Sequence, residues 1–307
     1  MYSIIIPCYK SSETIEMVVD TTTEEMKKMG KADFEFILVN DCSPDDGRTI
    51  AILKKLAATK PYVKVIDLAK NVGQHNASMA GLKAAFGDVF ISMDDDMQTR
   101  ASELPKMFEA FEKGYDVVYG AYPEKKENLF RLLGSWVNKM CATIFLGKPK
   151  TLKTSSFWII RKYVRDSIIS YDGAHPYLLG LILRTTSNIT HVMVNHFERE
   201  QGHSGYTFKA LLKLWSNIIG FTIKPLRIAM QCGAIVSASS ILFALFVLIK
   251  KILNPEISAG WASIMIGIFF SLGFELFFIG LIGEYVGRTY MHLNNEPQYT
   301  IKAKYNL

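Results

Sequence analysis

The chain has 307 residues, 49% of them hydrophobic, 12% aromatic and 21% charged, with a mean hydropathy of +0.14, a composition too apolar and aromatic for a disordered chain. That length allows one large domain or two smaller ones, and the four cysteines (Cys8, Cys42, Cys141, Cys232) form no CxxC pair and no His/Cys ligand spacing, which speaks against a zinc site and for a reducing compartment. The net charge of +6 sits mostly beyond Gly205, where nine Lys/Arg face four acids, so the first 204 residues lack the basic stripe of a nucleic-acid binder.

In chain order, short β-branched runs end in polar turns. Strands are expected at Ser3–Ile6 before Pro7, Phe34–Val39 before Asn40-Asp41, Val63–Leu68 before Asn71, and Val89–Met93 before Asp94. Helical patterns lie between and after them, at Ser12–Met29, Arg48–Ala58, Asn76–Phe86 and Ala101–Lys113. This alternation predicts an α/β fold with a mostly parallel sheet covered on both faces. Ligands of such folds bind outside the C-terminal ends of the strands, where the polar clusters of this sequence fall.

Residues 206–221 place Phe208, Leu211, Leu212, Trp215, Ile218 and Ile219 at helical spacing with Lys209 and Lys213 interleaved, the pattern of an amphipathic helix lying at a membrane surface. Ala229 to Ile249 then runs without a charge, and Trp261 to Ile282 carries one ionisable group, Glu275. At 1.5 Å per residue each stretch reaches about 31–33 Å, enough for a bilayer core of about 30 Å, so two transmembrane helices are expected around a turn at Asn254-Pro255. The alternative is a pair of buried helices in a soluble protein. Lys209, Lys213, Lys224, Arg227, Arg288, Lys302 and Lys304 flank the hairpin on the domain side, against Lys250 and Lys251 in the connection, which places the domain and both termini in the cytoplasm. The opening MYSIIIPCYK lacks the pattern of a signal peptide, in agreement.

The strongest chemical signal is Met93-Asp94-Asp95-Asp96-Met97-Gln98 at a strand end. Three adjacent carboxylates repel one another unless a cation sits among them. In an extended chain Asp94 and Asp96 project to one side and Asp95 to the other, so the outer pair can share a divalent ion that also takes phosphate oxygens. An acidic solvated turn is the plainer reading. Asp41, in VNDCSPDDG, can accept a hydrogen bond from the N3–H of a uracil. Asn76 is expected as the N-cap of the helix that follows, and Lys70 with that helix N-terminus would suit phosphate. His75 carries little weight alone.

Together, IIIPCYK, VNDCSPDDG, NVGQHNASMAG, DDDMQ and the terminal spans ending LIGEYVGRTY…EPQY resemble the family 2 glycosyltransferases of GT-A fold, over nearly the whole chain. The match is best with the polyprenyl-phosphate branch, which includes dolichyl-phosphate mannose synthase, bactoprenol glucosyltransferases and undecaprenyl-phosphate aminoarabinose transferases. By that resemblance Pro7, Tyr9 and Asp41 line a nucleotide pocket with Glu13 and Lys70 near it, and Asp95, Gln98 and Ser135 belong to the binding set. Asp94, Asp96 and Gln98 would hold Mg²⁺ or Mn²⁺ against the donor diphosphate. Arg131, Ser135, Arg199 and Ser204 match positions that handle the acceptor phosphate, where an Arg fork reads phosphate bidentately. Two departures stand out. Many relatives read Asp-Phe-Arg at Ser156-Phe157-Trp158, and Glu-Ser-Lys-Tyr at His203-Ser204-Gly205-Tyr206, so an aspartate, an arginine and a lysine on the acceptor side are missing.

The resemblance implies an inverting transfer of one sugar from a nucleoside diphosphate sugar, with UDP the expected nucleotide, to undecaprenyl phosphate at the inner face of a bacterial cytoplasmic membrane. It also implies a homo-oligomer, by analogy a tetramer, with no nucleic-acid partner. The expected division is a GT-A domain over 1–204, an amphipathic juxtamembrane region over 205–227, a two-helix hairpin over 228–288 and a cytoplasmic tail over 289–307. The alternatives are a processive polysaccharide synthase, disfavoured by two spans and no Gln-x-x-Arg-Trp motif, and a non-catalytic nucleotide-binding membrane adaptor.

Overall fold

The computed structural model describes residues 1–123, 139–195, 197, 222–253, 260–294 and 296–307. Its first half alternates strand and helix: β1 (Tyr2–Cys8), α1 (Ile15–Lys28), β2 (Phe34–Asn40), α2 (Arg48–Thr59), β3 (Val63–Leu68), α3 (Gln74–Ala84), β4 (Val89–Ser92) and, after a 3₁₀ turn at Ala101–Glu103, α4 (Leu104–Glu112). Every strand and helix expected there has its counterpart, with ends displaced by a few residues. Asn76 is not the N-cap of α3: Gly73 holds that position at φ 84, a conformation that favours glycine, and Asn76 lies buried in the first turn with its Nδ2 donating to the carbonyl of Val72.

Beyond α4 come β5 (Val117–Ala121), β6 (Trp158–Arg161), α5 (Lys162–Ile169), α6 (Leu178–Thr185), β7 (Ile189–Met193), α7 (Lys224–Leu253), α8 (Trp261–Leu293) and β8 (Ile301–Tyr305). The strands form one eight-stranded sheet in the order β7-β5-β6-β4-β1-β2-β3-β8. β1, β2, β3 and β4 run parallel, whereas β6 is antiparallel to β4 and β5, and β8 is antiparallel to β3. The sheet is therefore mixed, with its parallel heart where the sequence placed it.

Both faces are covered, as period-2 side-chain alternation requires. Ile4, Ile6, Phe36 and Leu38 pack with Val18 and Met26 of α1, Leu53 of α2 and Leu104 of α4. Ile5, Ile37 and Val39 face the other way, onto Ala77 and Leu82 of α3, Val164 of α5 and Ile182 of α6. Helix α3 lies close to the sheet because Gly81 has no side chain; a Cβ there would stand 2.5 Å from Cγ2 of Ile5.

Of the residues expected as a tail, 289–307, the first five end α8, and those from Gln298 to Tyr305 lie against this domain. β8 pairs with β3, Lys302 and Lys304 point to solvent along the outer edge, and Gln298 is buried with its Nε2 donating to the carbonyls of Tyr171 (2.7 Å) and Gly173 (2.9 Å). Edge lysines discourage further strand pairing.

Helices α7 and α8 are 30 and 33 residues long and contain the two apolar stretches. Among the described residues, no helix is long and apolar enough to cross a membrane. The amphipathic segment 206–221 lies outside the described residues.

Candidate active site

The C-terminal ends of the four parallel strands bring the expected donor-side residues to one edge. β1 ends at Cys8 and delivers Tyr9, β2 ends at Asn40 and delivers Asp41, the loop after β3 carries Lys70 to Gly73, and the loop after β4 carries Asp94 to Gln98. Pro7 sits within β1, in register with Val39. Tyr9, Lys70 and Glu13 are exposed, Glu13 on the turn that leads into α1.

Asp41 is buried, and its carboxylate closes the loop after β3: Oδ1 accepts from the amide of Val72 at 2.7 Å and Oδ2 from the amide of Gly73 at 2.9 Å. It thus fixes the path of the loop that leads from β3 into α3. The sequence suggested only the ligand contact.

The triple-aspartate loop divides its carboxylates by direction. Asp95 turns toward β1, where the amide of Tyr9 donates to its Oδ2 at 2.8 Å, while the hydroxyl of Thr14 donates to its carbonyl at 2.5 Å. Asp94 turns to the other side, accepting from Nε2 of Gln74 at 3.0 Å on Oδ1 and from the hydroxyl of Ser156 on Oδ2. The amide of Gln98 donates to Oδ1 of Asp96 at 3.1 Å. Met97 between them has φ 60, a left-handed conformation that reverses the chain at this point.

Burial pushes the carboxyl of Asp95 up to about 6; the neighbouring charges of Asp94 and Asp96 act in the same direction, against the hydrogen bonds from Tyr9 and Ser11. The hydroxyl of Tyr122 is likewise raised, by burial first and by Asp94 and Asp96 next; it shares a 2.6 Å hydrogen bond with Oγ1 of Thr99. Negative charge is therefore concentrated where a cation would relieve it. Among the described residues, no group of three or more His, Cys, Asp or Glu side chains can hold a metal ion. Asp94, Asp96 and Gln98 all belong to the loop after β4, and carboxylate and amide oxygens are the hard donors that Mg²⁺ or Mn²⁺ takes.

Arg131, Ser135, Arg199 and Ser204 lie outside the described residues. The segments leading to them both leave from the aspartate loop: Tyr122 is tied to Thr99, and the amide of Phe197 donates to the carbonyl of Gln98 at 3.0 Å. Gln74, Thr14, Tyr122 and Ser156 were not foreseen as site residues. Gln74 belongs to the NVGQHN stretch, so proximity was readable there, but Ser156 had no signal beyond being a departure from the family pattern.

Carboxylates on the loop after the fourth strand, beside the loops after the second and third, are the arrangement expected of a glycosyltransferase, and comparison with known proteins gives that class. Residues 3–168 match the pattern of glycosyl transferase family 2, and the chain belongs to that family. It is 32% identical, over 98% of its length and 92% of the relative's, to the undecaprenyl-phosphate 4-deoxy-4-formamido-L-arabinose transferase of Pectobacterium carotovorum. It is 30% identical to the uncharacterized glycosyltransferase YkcC of Bacillus subtilis, over 100% of this chain and 94% of that one. In fold it resembles glucosyl-3-phosphoglycerate synthase of Mycobacterium tuberculosis, solved with Mn²⁺, UDP and glucosyl-3-phosphoglycerate, at a TM-score of 0.53 and 18% identity over 73% of this chain and 79% of that one.

Proposed function

We propose that this glycosyltransferase moves one sugar from a UDP-sugar to undecaprenyl phosphate at the cytoplasmic face of the membrane, with inversion at the anomeric carbon. The observation that carries the reading is the convergence of Asp94, Asp96 and Gln98 with Asp41 and Tyr9 at one edge of the sheet. The relatives named for undecaprenyl-phosphate sugar transfer, matched over nearly their full length, supply the acceptor class.

The chemistry asks for no strong base. A phosphate monoester has a second pKa near 6, so the lipid phosphate is largely dianionic at neutral pH. One of its oxygens attacks the anomeric carbon as the bond from that carbon to the diphosphate oxygen breaks, and the electron pair leaves with UDP. Asp94, Asp96 and Gln98 would hold Mg²⁺ or Mn²⁺, which supplies charge neutralisation to the leaving diphosphate. Asp41 and the loop it closes orient the base, and Lys70 adds positive charge near the phosphates. Arg131 and Arg199, with Ser135 and Ser204, are assigned to the acceptor phosphate, so that binding aligns nucleophile and leaving group.

The membrane reading rests on α7 and α8. At 1.5 Å per residue their 30 and 33 residues reach about 45–50 Å, and large apolar side chains such as Ile235, Leu242, Ile268, Leu276 and Ile279 are more than half exposed, which a soluble protein rarely tolerates over such a surface. Two spans would hold the donor edge within reach of a lipid headgroup, and a homo-oligomer would cover part of that apolar surface.

Purified full-length protein in detergent, given a panel of UDP-sugars with Mn²⁺, should release UDP from one of them only when undecaprenyl phosphate is present. Release that is independent of the lipid, or confined to another nucleotide, would contradict the assignment.

A further inference from the structure

We propose that Ser156 is a positioning residue for Asp94, holding that carboxylate for the metal by donating its hydroxyl proton, so that a neutral donor stands where a carboxylate would repel. The proposal rests on the metal-binding reading of Asp94 above. Its geometry follows from the sheet. β6 runs antiparallel to β4 with Trp158 opposite Ser92, so Ser156, two residues before Trp158, comes opposite Asp94, two residues after Ser92. The neighbouring Ser155 fixes this turn, its hydroxyl donating to the carbonyl of Gly120 at 2.6 Å and accepting from the amide of Phe157 at 3.1 Å. The hydroxyl of Ser156 then reaches Oδ2 of Asp94, while Nε2 of Gln74 reaches Oδ1 at 3.0 Å.

Each oxygen of Asp94 therefore accepts a hydrogen bond from a neutral donor, Oδ1 from Gln74 and Oδ2 from Ser156. Two donors from two elements, α3 and the approach to β6, fix the carboxylate plane before any ligand arrives. An aspartate at 156 would instead set a second negative charge against Asp94, a pair that is stable only with a shared proton or a cation between them. The serine makes the carboxylate's orientation independent of the ion, a difference in how the site is built rather than a lost catalytic group.

Loss of an outer-shell partner of this kind weakens metal affinity by roughly tenfold or more. The test is Mn²⁺ binding to full-length protein in the presence of UDP, read from the free Mn²⁺ signal in electron paramagnetic resonance. Ser156→Ala should raise the Mn²⁺ dissociation constant about tenfold, Ser156→Thr should return it to within about threefold of wild type, and UDP affinity without metal should not change. If Ser156→Ala melts well below wild type, Ser156→Cys, of similar shape with a weaker donor, is held to the same criterion. Wild-type Mn²⁺ affinity in Ser156→Ala, or in Ser156→Cys where the alanine variant is unstable, would overturn the proposal. Asp96→Ala separates the two claims: if it loses Mn²⁺ while Ser156→Ala keeps it, only the positioning role fails, and if it too binds Mn²⁺ like wild type, the metal assignment fails with it.

Discussion

Three adjacent aspartates do three different things because the chain turns between them. Asp94 is held by Gln74 and Ser156, Asp96 accepts from the amide of Gln98, and Asp95 points back to the amide of Tyr9. Replacing Asp96 with Ala should lower the rate of sugar transfer at least about a hundredfold, and Asp94→Ala should come close to it, since each would remove a carboxylate proposed to hold the cation against the leaving diphosphate. Asp95→Ala should cost less activity and show its effect in thermal stability. Steady-state kinetics on the three variants checks the order, and a rate most sensitive at Asp95 would reverse the assignment. The placement of Asp41, Asp94 and Asp96 at the C-terminal edge of the sheet was legible in the sequence because a polar residue directly after an apolar strand has only one place to go in an α/β fold. Gln74 and Ser156 were not legible as partners of Asp94, since they reach it from 20 and 62 residues away and only the packing of α3 and the register of β6 bring them there.

Among the elements, the parallel strands were readable from their β-branched runs, but β5 to β8 were not assigned. Trp158–Arg161 is four residues long, too short for a pattern, and IKAKY in β8 alternates with lysines, which reads as a solvated segment until β3 is known to be its partner. At the opposite end of the sheet from the site, Glu35 on β2 is buried and binds Ser3, Lys64 and the amide of Phe86 at 2.6–2.7 Å. Burial alone would raise its pKa, yet the bonds from Lys64, Ser3 and Phe86 outweigh it and hold the carboxyl below the ordinary 4.5. Its stabilisation is therefore present above pH 4.5 and lost as the pH falls through the folded-state value. Glu35→Gln should cost about 1–3 kcal/mol at pH 7, and the difference from wild type should shrink in melts below pH 4.5. A constant difference across that range would show that the charge is not what matters there.

For the whole molecule, the chain leaves the α/β domain, forms the two long helices α7 and α8 and comes back to complete the sheet. The return is secured by β8 and by Gln298, whose amide spans the carbonyls of Tyr171 and Gly173 in the loop before α6. Gln298→Ala leaves those acceptors without their donor and should destabilise the catalytic domain by about 1–3 kcal/mol, measured as a lower melting temperature in detergent. Unchanged melting would mean that the C-terminal segment only rests on the domain. The apolar helices were the plainest feature of the sequence, because 21 residues without a charge need no alignment to be noticed. The return strand was hidden because its partner lies more than two hundred residues earlier in the chain. The central claim, transfer of one sugar with inversion to a lipid phosphate, is tested most directly by nuclear magnetic resonance of the product formed from the accepted UDP-sugar and a short polyprenyl phosphate: the account predicts a single sugar on the lipid phosphate with the anomeric configuration opposite to that of the donor, and a retained configuration, a longer glycan or a water-soluble product would contradict it.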